Sequence, residues 1–248
     1  MGTYAAVVLA GGAARRMGGV DKPARPVGGR PMRDRVLAAV TDAASRVLVG
    51  PVDVVPPGVR VTREDPPGGG PVAAMAAGLA LLDPGTTVVA LLAADLPLLT
   101  RAAVGELLLH LDSDSATAPP APTAGTVVSS AVVSSAVVSS AVVSSAVVSS
   151  AVGAGPGESG GGRRPDGACF VDADGRRQSL CGVWRVAALR AGLDRLAAER
   201  GGSLAGAPVR ALLAGLVVRE VPWSGDGPPP WFDCDTDEDV RRAEEWAR

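Results

Sequence analysis

Between Val7 and Pro23 the chain reads VVLAGGAARRMGGVDKP, four glycines set among two arginines and a lysine. Gly11 and Gly12 close an apolar run, and without a Cβ they let backbone N–H groups come close to a phosphate. Arg15 and Arg16 offer bidentate forks to phosphate oxygens, whereas Lys22 offers a compact ammonium on a flexible stem. Lys22 is the sole lysine, so 23 of the 24 basic residues are arginine. A chain with this bias keeps a lysine where a reaching ammonium, not a fork, is wanted. The opposing reading is a solvated loop lysine with no such task. Two carboxylates lie further on. Asp95 directly follows the apolar run Val88–Ala94, and a carboxylate at the end of a buried strand is costly unless paired or metal-bound. Asp65 sits in REDPPGGGPVAAMAAG, a Pro/Gly turn flexible enough to wrap a ligand. Turn aspartates satisfied by backbone amides are the alternative for both.

The elements that would position these groups follow from pattern. Tyr4–Ala10 reads as a buried strand, and Arg33–Ala44 as a helix with Val36, Leu37 and Val40 on one face. Arg46–Val49 is a short strand; Val52–Pro57 and Val59–Thr62 are further strand or edge material broken by prolines. Pro71 suits the first turn of a helix, Val88–Ala94 a central strand, and Thr100 the cap of a helix over Arg101–Leu111. This βαβ rhythm predicts a parallel sheet covered by helices, with ligands at the carboxyl ends of the strands. Further on, Ala168–Asp172 and Gln178–Arg185 read as a hairpin, Ala187–Glu199 and Pro208–Leu213 as helices, and Leu216–Val221 as a strand. Trp223 and Trp231-Phe232 read as loop packing rather than stacking surfaces. Thr236 and Asp239 make a capping-box-like start to a last helix over Thr236–Ala247.

The totals exclude several classes. The 248 residues carry a net charge of −2 with both signs interspersed, which leaves no nucleic-acid footprint. Cys169, Cys181 and Cys234 match neither a zinc pattern nor a disulfide framework, which suits a reducing compartment. No basic region precedes the first apolar run, so no signal peptide is expected, and no apolar run is long enough for a membrane span. A cytoplasmic protein is the expectation. Residues 113–165 form a low-complexity insertion in which VVSSA repeats five times over Val127–Ala151. A period of five keeps no face apolar in a helix or a strand, so disorder is expected and no function is assigned. Its high β-propensity without charge or proline makes it an aggregation hazard when exposed.

The opening loop has neither GxxxxGK[ST] nor GxGxxG, so it is neither a P-loop nor a dinucleotide loop by pattern. It resembles the signature of the molybdenum cofactor guanylyltransferase family, within the NTP transferase superfamily, which reads LAGG-x-x-x-RMGG-x-DK. The resemblance covers residues 4–111 well and 168–248 loosely. It implies a single Rossmann-like three-layer α/β/α nucleotidyltransferase domain over residues 1–248, with a mostly parallel central sheet. It further implies transfer of GMP from GTP to a molybdopterin-type acceptor with release of pyrophosphate, CTP on the same acceptor being the alternative. On that footing Leu9, Ala10, Gly11, Gly12, Lys22, Asp65 and Asp95 bind the nucleotide. Lys22, Asp95 and Arg16 are catalytic, and Asp95, as part of Asp95-Leu96-Pro97, holds Mg²⁺. The hard ion suits a site with one or two carboxylates completed by water and phosphate oxygens. A catalytically silent nucleotide-binding scaffold is the non-enzymatic alternative. The chain departs from the family in GPVAAMAAG for GPLAG, in Ser179 for a proline, and near Gly50-Pro51, where the family has an asparagine by the base. The family's Asn-x-Asn-Thr-Pro-Glu element becomes Asp233-Cys234-Asp235-Thr236-Asp237-Glu238, so Asp233 or Asp235 either joins the metal or caps the last helix.

Overall fold

Every residue of strand β1, Ala5–Leu9, is buried, which requires cover on both faces of the sheet. In the computed structural model, which describes residues 3–11, 22–52, 54–113 and 164–247, β1 lies near the middle of a seven-stranded sheet. After a short 3₁₀ turn at Lys22–Ala24, β2 (Pro26–Val27) and β3 (Arg30–Pro31) form a small separate hairpin leading into α1 (Met32–Ala39). Then come β4 (Ser45–Val49), β5 (Val59–Thr62), α2 (Pro71–Ala80), β6 (Val88–Ala93) and α3 (Arg101–Asp112). The later part supplies β7 (Gly167–Val171), β8 (Arg177–Arg185), α4 (Val186–Glu199), α5 (Val209–Leu212), β9 (Val218–Pro222) and α6 (Asp237–Trp246). The strand order is β5-β4-β1-β6-β8-β7-β9. β5, β4, β1 and β6 run parallel, β8 is antiparallel to β6 and β7, and β9 is parallel to β7.

Alternation along the strands divides the apolar residues between two cores. Ala6 and Val8 pack with Val36 and Leu37 of α1 and with Val104 and Leu107 of α3. Ala5, Val7 and Leu9 pack on the opposite face with Met75 and Leu79 of α2 and with Leu189 and Leu193 of α4. The result is three layers, helix on sheet on helix, as expected. Helix α2 lies very close to the sheet because of Gly78: a Cβ there would fall 2.4 Å from Val7 Cγ1 and 3.0 Å from Val49 Cγ2. At the end of β4, Gly50 passes beneath the first strand's exit, where a Cβ would meet the Ala10 carbonyl carbon at 2.9 Å. The same crossing is stitched by the Ala10 N–H donating to the Val49 carbonyl at 2.7 Å.

Two elements differ from expectation by more than a residue or two. Helix α1 stops at Ala39 rather than Ala44, because the Ala44 N–H leaves the helix to bond the Tyr4 carbonyl at 2.9 Å. No strand forms over the described residues of 52–57, where Pro56 and Pro57 have no N–H to give a ladder. Strand β5 keeps the expected bounds, Val59–Thr62, so Asp65 lies on the loop beyond it. The expected helix starts hold: Pro71 opens α2, and the Thr100 hydroxyl accepts the Ala103 N–H at the start of α3. Residues 114–163 lie outside the described residues, including the VVSSA repeat. Their flanks are fastened together by Arg185, whose guanidinium donates to the Pro165 carbonyl at 2.9 Å and the Leu111 carbonyl at 3.3 Å. No helix among the described residues is long and apolar enough to cross a membrane.

Candidate active site

A cavity of about 440 Å³ opens where β1 and β6 end and β8 begins. Leu9 and Gly11 line it from β1, Ala93 and Asp95 from β6, and Trp231 and Asp233 from the segment after β9. Its floor is the stretch 178–181 of β8, which reaches the cavity because β8 runs against β6, pairing Cys181 with Leu92. Trp231 rests on the buried ring of Phe170, with centroids 5.3 Å apart, while Trp223 meets the same ring edge-on at 5.5 Å. Trp223 therefore packs as expected, and Trp231 both packs and lines the cavity.

At the rim, the Lys22 ammonium donates to Asp95 Oδ2 at 2.5 Å and to Asp235 Oδ1 at 2.6 Å. Burial on its own would lower the lysine's pKa; the hydrogen bonds to Asp235 and Asp95, with their charges, outweigh it and raise the pKa. Lys22 is thus a fixed positive charge at neutral pH. Asp233 stands beside this group, and partial burial, then the charges of Asp235 and Asp95, push its carboxyl above the usual carboxylate range. The C-terminal segment reaches the site by backbone as well, the Cys234 N–H bonding the Asp95 carbonyl at 3.3 Å. A second ion pair, Arg25 with Asp237, fastens the residues after Lys22 to the start of α6.

Neither Asp233 nor Asp235 caps α6. Thr236 does so, its hydroxyl accepting the Asp239 N–H at 3.2 Å while Asp239 accepts the Thr236 N–H at 2.8 Å. Asp235 is left to face Lys22. Of the expected nucleotide-binding residues, Leu9, Gly11 and Asp95 line the cavity and Lys22 contacts Asp95. Ala10 is buried beside them. Asp65 is exposed on the loop after β5 and does not line the cavity. Gly12 and Arg16 lie outside the described residues. The sequence reading did not find the β8 floor or the inward turn of Glu64, the neighbour of Asp65. The first had a signal in the hairpin pattern; the second had none.

The donor set suits a hard divalent ion better than a soft one. Asp95 and Asp235 present carboxylate oxygens that converge on one cation, the ammonium of Lys22. Among the described residues no group of three or more His, Cys, Asp or Glu side chains could hold a metal ion. Cys181 lines the cavity, but burial pushes its thiol pKa strongly up, so it stays protonated and is no nucleophile.

These features define a three-layer α/β protein whose cavity lies where its parallel strands end, with one ammonium and several carboxylates at the rim. Residues 6–217 match the model of the MobA-like NTP transferase domain, and the chain belongs to that family of nucleotidyltransferases. It is 36% identical over 109 residues to a molybdenum cofactor guanylyltransferase of Bradyrhizobium sp. (strain ORS 278), which spans 41% of this chain and 51% of that protein. It is 47% identical over 45 residues to a probable molybdenum cofactor guanylyltransferase of Haloferax mediterranei, 18% of this chain and 21% of that protein. These matches thus span about half or less of the relatives' length. Among solved structures, the molybdopterin-guanine dinucleotide biosynthesis protein A of Archaeoglobus fulgidus shares the fold at a TM-score of 0.58 and 17% identity, over 97% of each chain.

Proposed function

We propose that the chain transfers GMP from GTP to the phosphate of a molybdopterin-type acceptor and releases pyrophosphate. The observation that carries this reading is the Lys22 ammonium, held against Asp95 and Asp235 at the rim of a cavity that begins at Gly11. An acceptor phosphate oxygen attacks the α-phosphorus, forming one P–O bond as the bond to pyrophosphate breaks. Negative charge grows on the transferring group and the leaving group, and catalysis consists of positioning and charge stabilisation. Lys22, together with Arg16, offsets that charge. The backbone of Leu9, Ala10, Gly11 and Gly12 cradles the nucleotide, and the β8 floor with Trp231 faces the acceptor. Asp95, with Asp235 beside it, would hold Mg²⁺, and the ion when bound neutralises part of the triphosphate charge. No covalent enzyme intermediate is needed. Three free cysteines suit a cytoplasmic setting.

The relatives named as molybdenum cofactor guanylyltransferases support GTP and this acceptor. Calorimetric titration with GTP and with CTP in magnesium, followed by a pyrophosphate-release assay with molybdopterin, tests the reading. GTP is expected to bind more tightly, with pyrophosphate appearing only when the acceptor is added. Turnover with CTP alone would move the assignment to a cytidylyl transfer. Silence toward both nucleotides would overturn it in favour of a non-catalytic scaffold.

A further inference from the structure

The chain has one glutamine and no asparagine, so Gln178 is its sole side-chain carboxamide, and it lines the cavity from β8. Behind it, Asp172 organises the turn between β7 and β8 with both of its oxygens. Oδ1 accepts the N–H groups of Asp174 at 3.0 Å and Arg176 at 2.8 Å, and Oδ2 accepts from Gln178 Nε2 at 3.0 Å. The Arg176 carbonyl takes a longer bond from the same Nε2, at 3.4 Å. Carboxylates and carbonyls only accept, so the end of the amide that faces them must be its nitrogen. Gln178 is thereby held in one of its two amide orientations. Its Oε1 accepts no hydrogen bond from the described residues. The polar atom that this wall leaves for a ligand is therefore an oxygen, backed by a carboxylate. The rim has the opposite polarity, since the Lys22 ammonium only donates.

We propose that Asp172 is a positioning residue for the acceptor substrate: it turns Gln178 so that Oε1 takes an N–H from that molecule's ring system. This rests on the reading of the chain as a transferase to a molybdopterin-type acceptor, and deepens it. A phosphate presents lone pairs and negative charge, and Oε1 with Asp172 behind it repels both. The phosphate therefore belongs with Lys22, and the part of the molecule that meets Gln178 is one that donates. A pterin qualifies, because its amino group and ring N–H groups are donors. The substrate is thus oriented by polarity, its phosphate drawn to the ammonium and its ring to the amide oxygen. Asparagine at position 172 would undo this. Its Oδ1 still accepts from the turn but its Nδ2 donates, so the Gln178 amide turns over, giving Oε1 to the asparagine and Nε2 to the cavity. One substitution would exchange an accepting atom for a donating one without altering a residue that lines the cavity.

The test is a double-mutant cycle on Asp172→Asn and Gln178→Ala. It is read as pyrophosphate release with molybdopterin varied at saturating GTP, alongside calorimetric titration with GTP. Gln178→Ala is expected to raise KM for molybdopterin about 3- to 10-fold, the loss of one hydrogen bond, with kcat and GTP affinity unchanged. Asp172→Asn should raise it about 10- to 100-fold, because a donor then faces a donor. The double variant should match Gln178→Ala alone, since Asp172 acts only through the amide. Additive effects would show that Asp172 merely shapes the turn, and would overturn the proposal. So would an unchanged KM in Gln178→Ala, or a loss confined to GTP binding. If melting shows Asp172→Asn to be unfolded, nitrogen-15 NMR of the unaltered protein decides, since one carboxamide gives one NH₂ signal. Protons slow to exchange with water, and still slow when molybdopterin binds, support the held orientation; exchange at the rate of a free amide overturns it. No pyrophosphate from the unaltered protein with molybdopterin instead fails the transferase reading, and this inference falls with it.

Discussion

The parallel and the mixed halves of the sheet meet the cavity in different ways. In β5, β4, β1 and β6 the strands are largely core, and the cavity is met by the last residues Leu9 and Ala93 and, just past the carboxyl ends of β1 and β6, by Gly11 and Asp95. Of β8, β7 and β9, β8 lines the cavity, over 178–181, and Cys181 there also sits in the core. Asp233 and Asp235 then arrive from the segment after β9. In the parallel half, then, only strand ends and the loops beyond them reach the cavity, while in the mixed half a run of β8 does. Substitutions should show this directly.

The sharpest break comes at Asp95, which follows β6 in the parallel half. Asp95→Ala should lower turnover at least about 100-fold, as loss of a transition-state electrostatic partner does, while the thermal melting profile stays cooperative. Collapse of the fold instead would show that site and core are not separable there. Next in size is Gly78→Ala, which acts on the core alone. The added methyl would meet Val7 Cγ1 at 2.4 Å, and overpacking of this kind should cost about 1–3 kcal/mol in urea denaturation. Nucleotide affinity of the folded fraction should be unchanged.

The smallest effect is on the other side, at Asp233. Its carboxyl titrates above the ordinary 3.8 in the folded protein, so the folded state holds this proton more tightly than the unfolded chain. That contribution to stability is complete below about pH 4 and is lost as pH rises through the raised value. Asp233→Asn removes the loss. The ligand-free variant should therefore melt slightly higher than the unaltered protein at neutral pH, with the two converging in acid. A variant that melts lower at neutral pH would show that the carboxylate is wanted at the rim even without a ligand.

What could be read from sequence divides along the same line. The turn at Gly11 and the carboxylate of Asp95 follow apolar runs directly, so their place at strand ends is a local property of the chain. Lys22 and Asp235 are 213 positions apart, and only tertiary structure brings them together. The aspartates of 233–235 were ambiguous between capping and metal binding because both uses favour acids before a helix. The choice was made by Thr236, whose hydroxyl took the cap. Glu64 and Asp65 are adjacent acids after an edge strand, and no period or motif says which one turns inward. The shortening of α1 was equally hidden, since it depends on a bond between Ala44 and the distant Tyr4 carbonyl.

Arg185 gives the molecule an evolutionary hinge of a particular kind. One guanidinium grips the carbonyls of Leu111 and Pro165, so the chain departs and comes home at the same doorway. Loop-closure entropy grows only with the logarithm of length, by about 0.6 kcal/mol per doubling, so a connection tethered this way can lengthen at small expense to the rest. A stuttering tract such as VVSSA can then be copied by replication slippage without asking the sheet to change a single pairing.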